Sequence, residues 1–203
     1  MSELALLYTR QAGERAVTVA VPRGGVSRVY LPDEKSRAKL VTAVLKAQCE
    51  PGEELELLGE PVRGLKPARR ERLRRRVAGL SPVVGLMSNL NAWENISLPA
   101  AYHGSPPLER VAQVAHEVLE AFGAEPRAFL ARLPDELGTL ERKIAAFVRL
   151  LLAAPEVALI DSLDQGLDRQ ERARVAGFEA EFRTRQPAST LVFIETREDA
   201  EDG

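Results

Sequence analysis

The chain has 203 residues, of which 45% are hydrophobic and 29% are charged, and its formal net charge is -2 at pH 7. This length and composition suit one globular α/β domain, or a core with a small subdomain, better than two independent domains. The slight negative charge argues against bulk attraction to nucleic acid or anionic lipid, so any such binding would have to be local. A single cysteine, Cys49, excludes an intrachain disulfide and a cysteine-based zinc site, and two histidines exclude a His-rich metal site.

The predicted elements alternate between apolar strands and amphipathic helices. The predicted strands lie at 4–8, 16–21, 26–31, 54–62 (a pair at a sheet edge), 156–160 and 190–195. The first predicted helix begins at about Ser36, and three further helices cover 107–122, 139–153 and 169–185. This alternation predicts a mainly parallel sheet covered by helices.

The run VRGLKPARRERLRRR, residues 62–76, is strongly basic. Between 63 and 76 it has eight Lys or Arg residues and one acid, Glu71. We interpret it as a solvated basic helix, because no aromatic side chain interleaves to stack bases. The alternative is a patch that binds nucleic acid or anionic lipid. Because no stretch approaches about 18 uninterrupted apolar residues, we expect a cytoplasmic protein, either free or peripheral at the inner face of the cell membrane.

The stretch VALIDSLDQGLD, residues 157–168, indicates a buried strand that delivers Asp161 to a sheet edge, followed by the turn Gly166-Leu167-Asp168. With other stretches in the same order, it resembles the ATP-binding subunits of ABC transporters. GLMSNLNAWENISLP, at 85–99, resembles the segment after the Q-loop, especially in phospholipid-transport subunits of the MCE or Mla type. LPDELGTLERK, at 133–143, resembles the signature region.

The resemblance implies a P-loop NTPase-like α/β fold, with a mainly parallel sheet covered by helices, a small antiparallel β part and a short helical subdomain. It implies a single domain over 1–203. The core and β part would lie at about 1–80 and 154–203, and the helical subdomain, with the signature region, at about 85–153.

The phosphate loop of this family needs glycines, then a Lys for the phosphates and a Ser or Thr for Mg²⁺. The resemblance places LPDEKSRAK, residues 31–39, at this loop, with Arg37 at the Lys position, or Lys35 or Lys39 if the loop is shifted. The carboxylates of Asp33 and Glu34 replace the glycine-rich turn, and one carboxylate about 4 Å from a phosphate charge costs about 4 kcal/mol. The alternative is an unrelated strand, loop and helix with a cap at Asp33 or Ser36. The nucleotide-site positions implied here are Tyr8, Pro32, Asp33, Glu34, Lys35, Ser36, Arg37, Ala38, Lys39 and Asp161.

Other family positions depart in the same direction. Ser81 stands at the Q-loop glutamine, Ser162 at the general-base Glu after Asp161, and Arg197 at the switch His. Tyr8 stands at the aromatic that stacks on adenine, or is an edge-strand tyrosine. The signature positions are Leu137, Gly138, Thr139, Leu140 and Glu141, and the D-loop positions, which look intact, are Gly166, Leu167 and Asp168.

These departures predict a catalytically inactive homologue with a structural or regulatory role in a membrane transport complex. We expect no cofactor and no metal, with ATP and Mg²⁺ only if some binding persists. The expected partners are a permease, through 85–99, and a second ATPase subunit, in a homodimer or heterodimer, but no nucleic acid. The alternatives are a weak nucleotide site built from Arg37, Lys39 and Asp161, and binding through the basic segment 63–76.

Overall fold

The computed structural model describes residues 3–12, 15–104 and 106–196. The chain divides into two compact units. The first, named here the sheet unit, consists of the residues up to Val83, Pro155–Ser162 and the residues from Pro187 onward. The second, the helical unit, consists of Val84–Ala154 and Leu163–Gln186.

The sheet unit contains a four-stranded parallel sheet in the order β3-β8-β7-β6. Its strands are β3 (Val26–Leu31), β6 (Val77–Leu80), β7 (Val157–Asp161) and β8 (Thr190–Thr196). All five residues of β7 are buried, as the apolar run in the sequence predicts. Because parallel strands end at the same edge of a sheet, the residues that follow β6 and β7 lie next to one another.

The same unit contains a four-stranded antiparallel sheet in the order β2-β1-β4-β5. Its strands are β1 (Leu4–Ala12), β2 (Arg15–Pro22), β4 (Glu53–Leu57) and β5 (Glu60–Pro61). The strand pair predicted at 54–62 is therefore confirmed, with β5 at the edge. The interpretation of Tyr8 as an edge-strand residue is wrong, because β1 pairs on one side with β2 and on the other with β4.

Two helices complete the sheet unit, α1 (Glu34–Lys46) and α2 (Pro67–Arg74). The apolar stripe of α1 packs in the core, where Leu40, Val41 and Val44 are fully buried. Helix α1 begins two residues earlier than the sequence predicts, because Asp33 forms an N-cap before the first turn. A short 3-10 turn, Pro82–Val84, follows β6.

The helical unit consists of α3 (Ala92–His103), α4 (Leu108–Ala121), α5 (Pro126–Ala131), α6 (Thr139–Ala153), α7 (Arg169–Val175) and α8 (Gly177–Arg185). In its core the rings of Phe147 and Phe178 stack with centroids 4.0 Å apart, and Phe122 meets both edge-on. The single helix predicted at 169–185 is wrong, because the chain forms two helices that are separated by Ala176, and the second begins at Gly177. A Cβ at Gly177 would lie 3.2 Å from the Phe122 ring.

Residues 163–186 cluster with the helical unit, whereas the division made from the sequence assigns them to the core. The assignment of the whole chain to a single domain stays a prediction. Among the described residues, no helix is long and apolar enough to cross a membrane.

Candidate functional site

The loop between β3 and α1, where the resemblance places the phosphate loop, is closed by its own carboxylate. Only Pro32 and Asp33 separate the strand from the helix. The Asp33 carboxylate accepts the Ser36 backbone N–H at 2.7 Å and the Ser36 hydroxyl at 3.0 Å. Of the two residues that the sequence offered as a cap in the alternative interpretation, Asp33 and Ser36, the structure uses Asp33.

This cap occupies a helix terminus that otherwise attracts anions. The first N–H groups of a helix lack intrahelical partners and favour negative charge. Here the Ser36 N–H donates to the Asp33 side chain, and the Arg37 N–H donates to the Asp33 carbonyl at 3.0 Å. The Ser36 N–H, helped by the Ser36 hydroxyl, holds the pKa of Asp33 below its usual value. Asp33 therefore occupies the N–H donors that a bound phosphate would need.

Arg37, one of the three residues that the resemblance offers for the Lys position, is buried between two carboxylates. Its Nη1 donates to Asp161 Oδ1, and its Nε donates to Glu34 Oε2 at 3.0 Å. A second donor, Nη2, contacts the other oxygen of Glu34. Burial by itself lowers the pKa of Arg37, but the hydrogen bonds to Glu34 and Asp161 outweigh it and raise that pKa. The guanidinium is therefore a fixed cation at the end of β7.

Asp161 receives hydrogen bonds on both carboxylate oxygens. Oδ1 accepts from Arg37, and Oδ2 accepts the hydroxyl of Ser81 at 2.5 Å. Ser81 follows β6 and Asp161 ends β7, so the parallel pairing of these strands brings them together. The Ser81 oxygen in turn accepts the Val83 N–H at 3.1 Å. The Asp161 side chain is 1% exposed, so the negative charge of its carboxylate is compensated entirely by protein groups.

These contacts do not fit Mg²⁺ at Asp161. Magnesium needs carboxylate oxygens, phosphate oxygens and water in octahedral geometry. At Asp161 the guanidinium of Arg37 and the hydroxyl of Ser81 hold the two oxygens, and Ala38 has no hydroxyl to offer as a ligand. Within the described ranges, no group of three or more His, Cys, Asp or Glu side chains could hold a metal ion.

Ser162 follows Asp161 in the left-handed region, with φ +52°. Its backbone N–H donates to the carbonyl of Ile194 at 3.2 Å, and its hydroxyl lies 3.4 Å from Asp161 Oδ1. A hydroxyl carries no charge near neutral pH and cannot take up a proton as a carboxylate does. Ser162 therefore offers a hydroxyl, and no carboxylate, at the position where the resemblance implies a general base.

The two lysines of the loop region lie away from Asp161. Lys35 and Lys39, together with Ala38, line a cavity of about 290 Å³ on the side of α1 that faces residues 48–53. Lys39 Nζ lies 2.5 Å from Glu50 Oε2. Of the three cations of this region, only Arg37 has a described contact with Asp161.

Tyr8 is buried, and its hydroxyl donates to Glu53 Oε1 at 3.0 Å. Burial, followed by this hydrogen bond, raises the pKa of Tyr8 well above its ordinary value. The Glu53 carboxylate also accepts the Glu50 N–H at 2.9 Å and lies 4.0 Å from both Arg10 and Lys39. The ring has no exposed face on which adenine could stack without displacing neighbours. Sequence reasoning missed Glu53, although a glutamate at an inward strand position is an unusual choice that signals a buried partner.

In the helical unit, the segment at the signature positions is held by Glu141. Leu137 and Leu140 are buried, and α6 begins at Thr139 with Gly138 as its N-cap residue. Glu141 Oε2 accepts the Gly138 N–H at 2.9 Å, and the Glu141 carboxylate also pairs with Arg132. Burial raises the pKa of Glu141, but the Arg132 and Gly138 donors outweigh it and lower that pKa. The N-terminus of α6 therefore carries its own carboxylate.

The D-loop positions form a turn that starts a helix. Gly166 has φ +74°, which glycine adopts without strain, and the Leu167 N–H donates to the Asp164 carbonyl at 3.2 Å. Asp168 caps α7 by accepting the Glu171 N–H at 2.8 Å, and Glu171 returns the contact to the Asp168 N–H. Arg197, predicted at the switch position, lies outside the described residues.

The 85–99 region contains an exposed loop that is held in place by the hydrogen bonds of a buried side chain, Asn95. Asn95 is fully buried, and its side-chain amide donates to the carbonyls of Met87 and Leu90 at 3.1 and 2.8 Å. Its side-chain oxygen accepts the Met87 N–H at 2.8 Å. The Met87 side chain remains 48% exposed on this loop. The contacts of Asn95 therefore hold a hydrophobic residue at the surface.

Three relatives among known proteins are all named as ATP-binding proteins. A scan against protein-family models finds no match. The lipoprotein-releasing system ATP-binding protein LolD of Roseobacter denitrificans is 33% identical over 156 residues, which are 76% of this chain and 67% of LolD. The uncharacterized ABC transporter ATP-binding protein YbbA of Escherichia coli is 28% identical over 181 residues, covering 88% of this chain and 77% of YbbA. The methionine import ATP-binding protein MetN of Brucella abortus is 25% identical over 168 residues, or 83% of this chain, which spans only 45% of the length of MetN.

Solved structures with the same fold are ABC cassettes. The ATP-binding cassette MJ0796, in a dimeric post-hydrolysis state bound to ADP and Pi, superposes with a TM-score of 0.70 at 19% identity, over 95% of this chain and 86% of that one. CbiO1 of Clostridium perfringens superposes with a TM-score of 0.71 at 13% identity, over 96% of this chain and 79% of CbiO1. The predicted P-loop NTPase-like α/β fold is confirmed. From the sequence relationship to LolD, the chain belongs to the family of ABC transporter ATP-binding proteins.

Proposed function

We propose that this chain is a catalytically inactive ABC-type ATPase homologue that serves as a structural or regulatory subunit of a membrane transport complex. The observation that carries the proposal is the buried ion pair between Arg37 and Asp161. It joins the residue at the phosphate-binding Lys position to the residue at the Mg²⁺-binding Asp position. The region that would hold the nucleotide is thus closed by the protein's own charges.

The energy of this pair supports weak or absent nucleotide binding. To bind Mg²⁺, Asp161 would have to leave Arg37 and Ser81, and separating a buried ion pair costs about 3–5 kcal/mol. That cost alone weakens binding about 10²- to 10⁴-fold. The cap at Asp33 adds to it, because a phosphate would have to displace a carboxylate from the N-terminus of α1.

The chemistry of the neighbouring positions points the same way. Ser162 offers a hydroxyl where the family has a carboxylate base, and a positioned general base is worth about 10²- to 10⁴-fold in rate. In the helical unit, Glu141 brings an anion to the N-terminus of α6, where the family contacts a phosphate with backbone N–H groups. The signature-like segment therefore also disfavours a phosphate.

The role in a complex rests on what the fold retains. The relatives are named for methionine import and for lipoprotein release, so membrane transport is the common context. The 85–99 segment keeps a rigid, partly apolar loop, which we propose as the contact with a permease. Its likeness to MCE and Mla subunits makes lipid transport our preferred context. The second partner is another ATPase subunit, in a homodimer or heterodimer, and the complex lies at the cytoplasmic face of the membrane.

A residual nucleotide site from Arg37, Lys39 and Asp161 is the competing function. The contacts of Lys39 weaken it, because Lys39 pairs with Glu50 and not with Asp161. Turnover that disappears in Asp161→Asn would establish it in place of our proposal.

Co-purification tests the proposed role directly. The tagged full chain is isolated in detergent from its native cells, and we expect a multi-span membrane protein to accompany it in stoichiometric amount. Met87→Asp should abolish this recovery, because it places a charge on the exposed loop. Leu108→Asp is the matched control, since Leu108 is 55% exposed on α4, outside the 85–99 segment. Recovery of no membrane protein by the unaltered chain, or equal recovery with both variants, would contradict the proposed docking.

A further inference from the structure

The sheet unit carries a strongly basic surface around α2 that the proposed function does not use. It consists of Arg63, Lys66, Arg69, Arg70, Arg72, Arg74, Arg75 and Arg76. The described residues supply only three carboxylates as ion-pair partners, those of Glu60, Glu71 and Glu156. The eight cations and these three carboxylates sum to a formal charge of +5, and Glu54 and Glu56, which line a cavity together with Arg63, lower the positive charge around that residue.

The ion pairs are unevenly distributed over the basic surface. Arg69 pairs with Glu60, and Arg76 pairs with both Glu60 and Glu156. Arg74 and Arg75 share one carboxylate, that of Glu71, at 3.2 and 3.8 Å. The cations without an ion pair to any described residue are Arg63, Lys66, Arg70 and Arg72. Of these, Arg63 donates to the Glu53 carbonyl and Arg70 donates to the Leu65 carbonyl at 3.4 Å. Lys66 and Arg72 are exposed and remain available to an external anion.

Helix α2 points these charges outward. Leu73 is 1% exposed and is the only buried residue of the helix. At helical spacing, Arg72 and Arg75 are three residues apart and share a face that turns away from Leu73. The Arg74 and Arg75 side chains are 50% and 53% exposed. The outward side of α2 therefore presents arginines with one neutralising acid, Glu71.

We propose that this basic surface binds an anionic phospholipid bilayer through its headgroup phosphates. Clusters of four to eight Lys or Arg residues adsorb to anionic membranes, and each charge near the membrane surface strengthens the attraction about fivefold. Lys66, Arg72, Arg74 and Arg75 are exposed, and with the charge of Glu71 subtracted their three net charges would together supply about 10²-fold. Nucleic acid is the less suitable anion, because residues 63–76 contain no aromatic side chain for base stacking. The proposal goes beyond the proposed function, because such binding depends neither on nucleotide nor on a permease.

Vesicle co-sedimentation of the full chain tests this inference. The vesicles contain one part phosphatidylglycerol to two parts phosphatidylcholine, and pure phosphatidylcholine vesicles serve as the comparison. We expect binding to the anionic vesicles only, at about 0.05 M salt, and its loss at about 0.5 M salt, where charges are screened within a few Å. The triple variant Arg72→Gln, Arg74→Gln, Arg75→Gln should lower the partition coefficient about ten- to a hundredfold.

The matched control removes three exposed arginines from the helical unit, by Arg110→Gln, Arg127→Gln and Arg169→Gln. It changes the net charge by the same amount, so we expect at most a twofold loss from it. Equal losses from both triple variants would overturn the assignment to α2. The choice of an anionic bilayer would be overturned if the chain bound neutral vesicles as strongly as anionic ones. It would also be overturned if the chain captured duplex DNA but no vesicles. A circular-dichroism melt within a few degrees of that of the unaltered chain verifies that each variant folds.

Discussion

Helices α1 and α6 both begin with a carboxylate of the protein, but the two carboxylates have different surroundings. At α1, Asp33 caps the helix, and one turn later Arg37 reaches the buried Asp161 of β7. At α6, Glu141 accepts the Gly138 N–H and pairs with Arg132, and both side chains are about one-third exposed. The carboxylate at the start of the helix is thus linked to a buried ion pair in the sheet unit, but to a partly exposed ion pair in the helical unit.

This difference separates what the two helix ends can tolerate. A buried charge that loses its partner is left without compensation, whereas an exposed one is solvated by water. Breaking the α1 arrangement should therefore disturb the fold of the sheet unit. Breaking the α6 arrangement should change only a local cap.

The largest expected effect is that of Arg37→Ala. It leaves Asp161 buried with only the Ser81 hydroxyl and the more distant Ser162 hydroxyl, and we expect the free energy of unfolding to fall by about 3–5 kcal/mol. Urea unfolding followed by circular dichroism measures it. The double variant Arg37→Met, Asp161→Leu removes both charges and should recover most of the loss. A loss below about 1 kcal/mol in Arg37→Ala would show that the buried ion pair contributes little to the stability of the sheet unit.

A smaller loss is expected from Asp33→Ala. The Ser36 N–H loses its acceptor, so the free energy of unfolding should fall by about 1 kcal/mol. Asp33→Asn is the control, because an asparagine oxygen caps a helix almost as well. If both variants lose the same stability in urea unfolding, the charge of Asp33 and not its capping geometry stabilises α1.

At α6, Arg132→Ala should cost only about 0.2–1 kcal/mol, since its ion pair with Glu141 is about one-third exposed. High salt should reduce even this difference, because exposed charges are screened. The measurement is again urea unfolding, with Arg37→Ala in parallel. A cost equal to that of Arg37→Ala would remove the distinction between the two helix ends.

The smallest effect concerns pH. The folded state holds the pKa of Asp33 below its ordinary value through the Ser36 N–H. A lowered carboxyl pKa contributes stability above the unfolded value of about 4, and that stability is lost as the pH falls through the folded pKa. The unaltered chain should therefore lose more stability than Asp33→Asn between about pH 5 and about pH 2. Parallel acid titrations of the two proteins would contradict this sign.

The sequence was sufficient for the elements that depend on local patterns. The apolar run Val157–Ile160 predicts β7 and the position of Asp161, and the short polar side chains of Asp33 and Ser36 offer two candidates for the cap, of which Asp33 forms it. The break between α7 and α8 is not predictable from helical periodicity, because it occurs at Ala176, next to Gly177, whose Cα packs beside Phe122. A glycine alone is compatible with either one bent helix or two.

The pairing of Arg37 with Asp161 could not be predicted from spacing. These residues are 124 positions apart, and the parallel arrangement of β3, β8 and β7 brings them together. The loss of glycines in residues 31–39 indicated that the loop had changed, but not which cation would replace the Lys. In the same way, Tyr8 was identified as an aromatic on the first strand, whereas its contact with Glu53 depends on the pairing of β1 with β4.

Isothermal titration calorimetry of the full chain with ATP and Mg²⁺ tests the closed nucleotide site most directly. The Arg37–Asp161 pair predicts no saturable heat at micromolar nucleotide, and the same flat trace for Asp161→Asn. Saturable binding at micromolar ATP, with turnover that Asp161→Asn abolishes, would contradict the account.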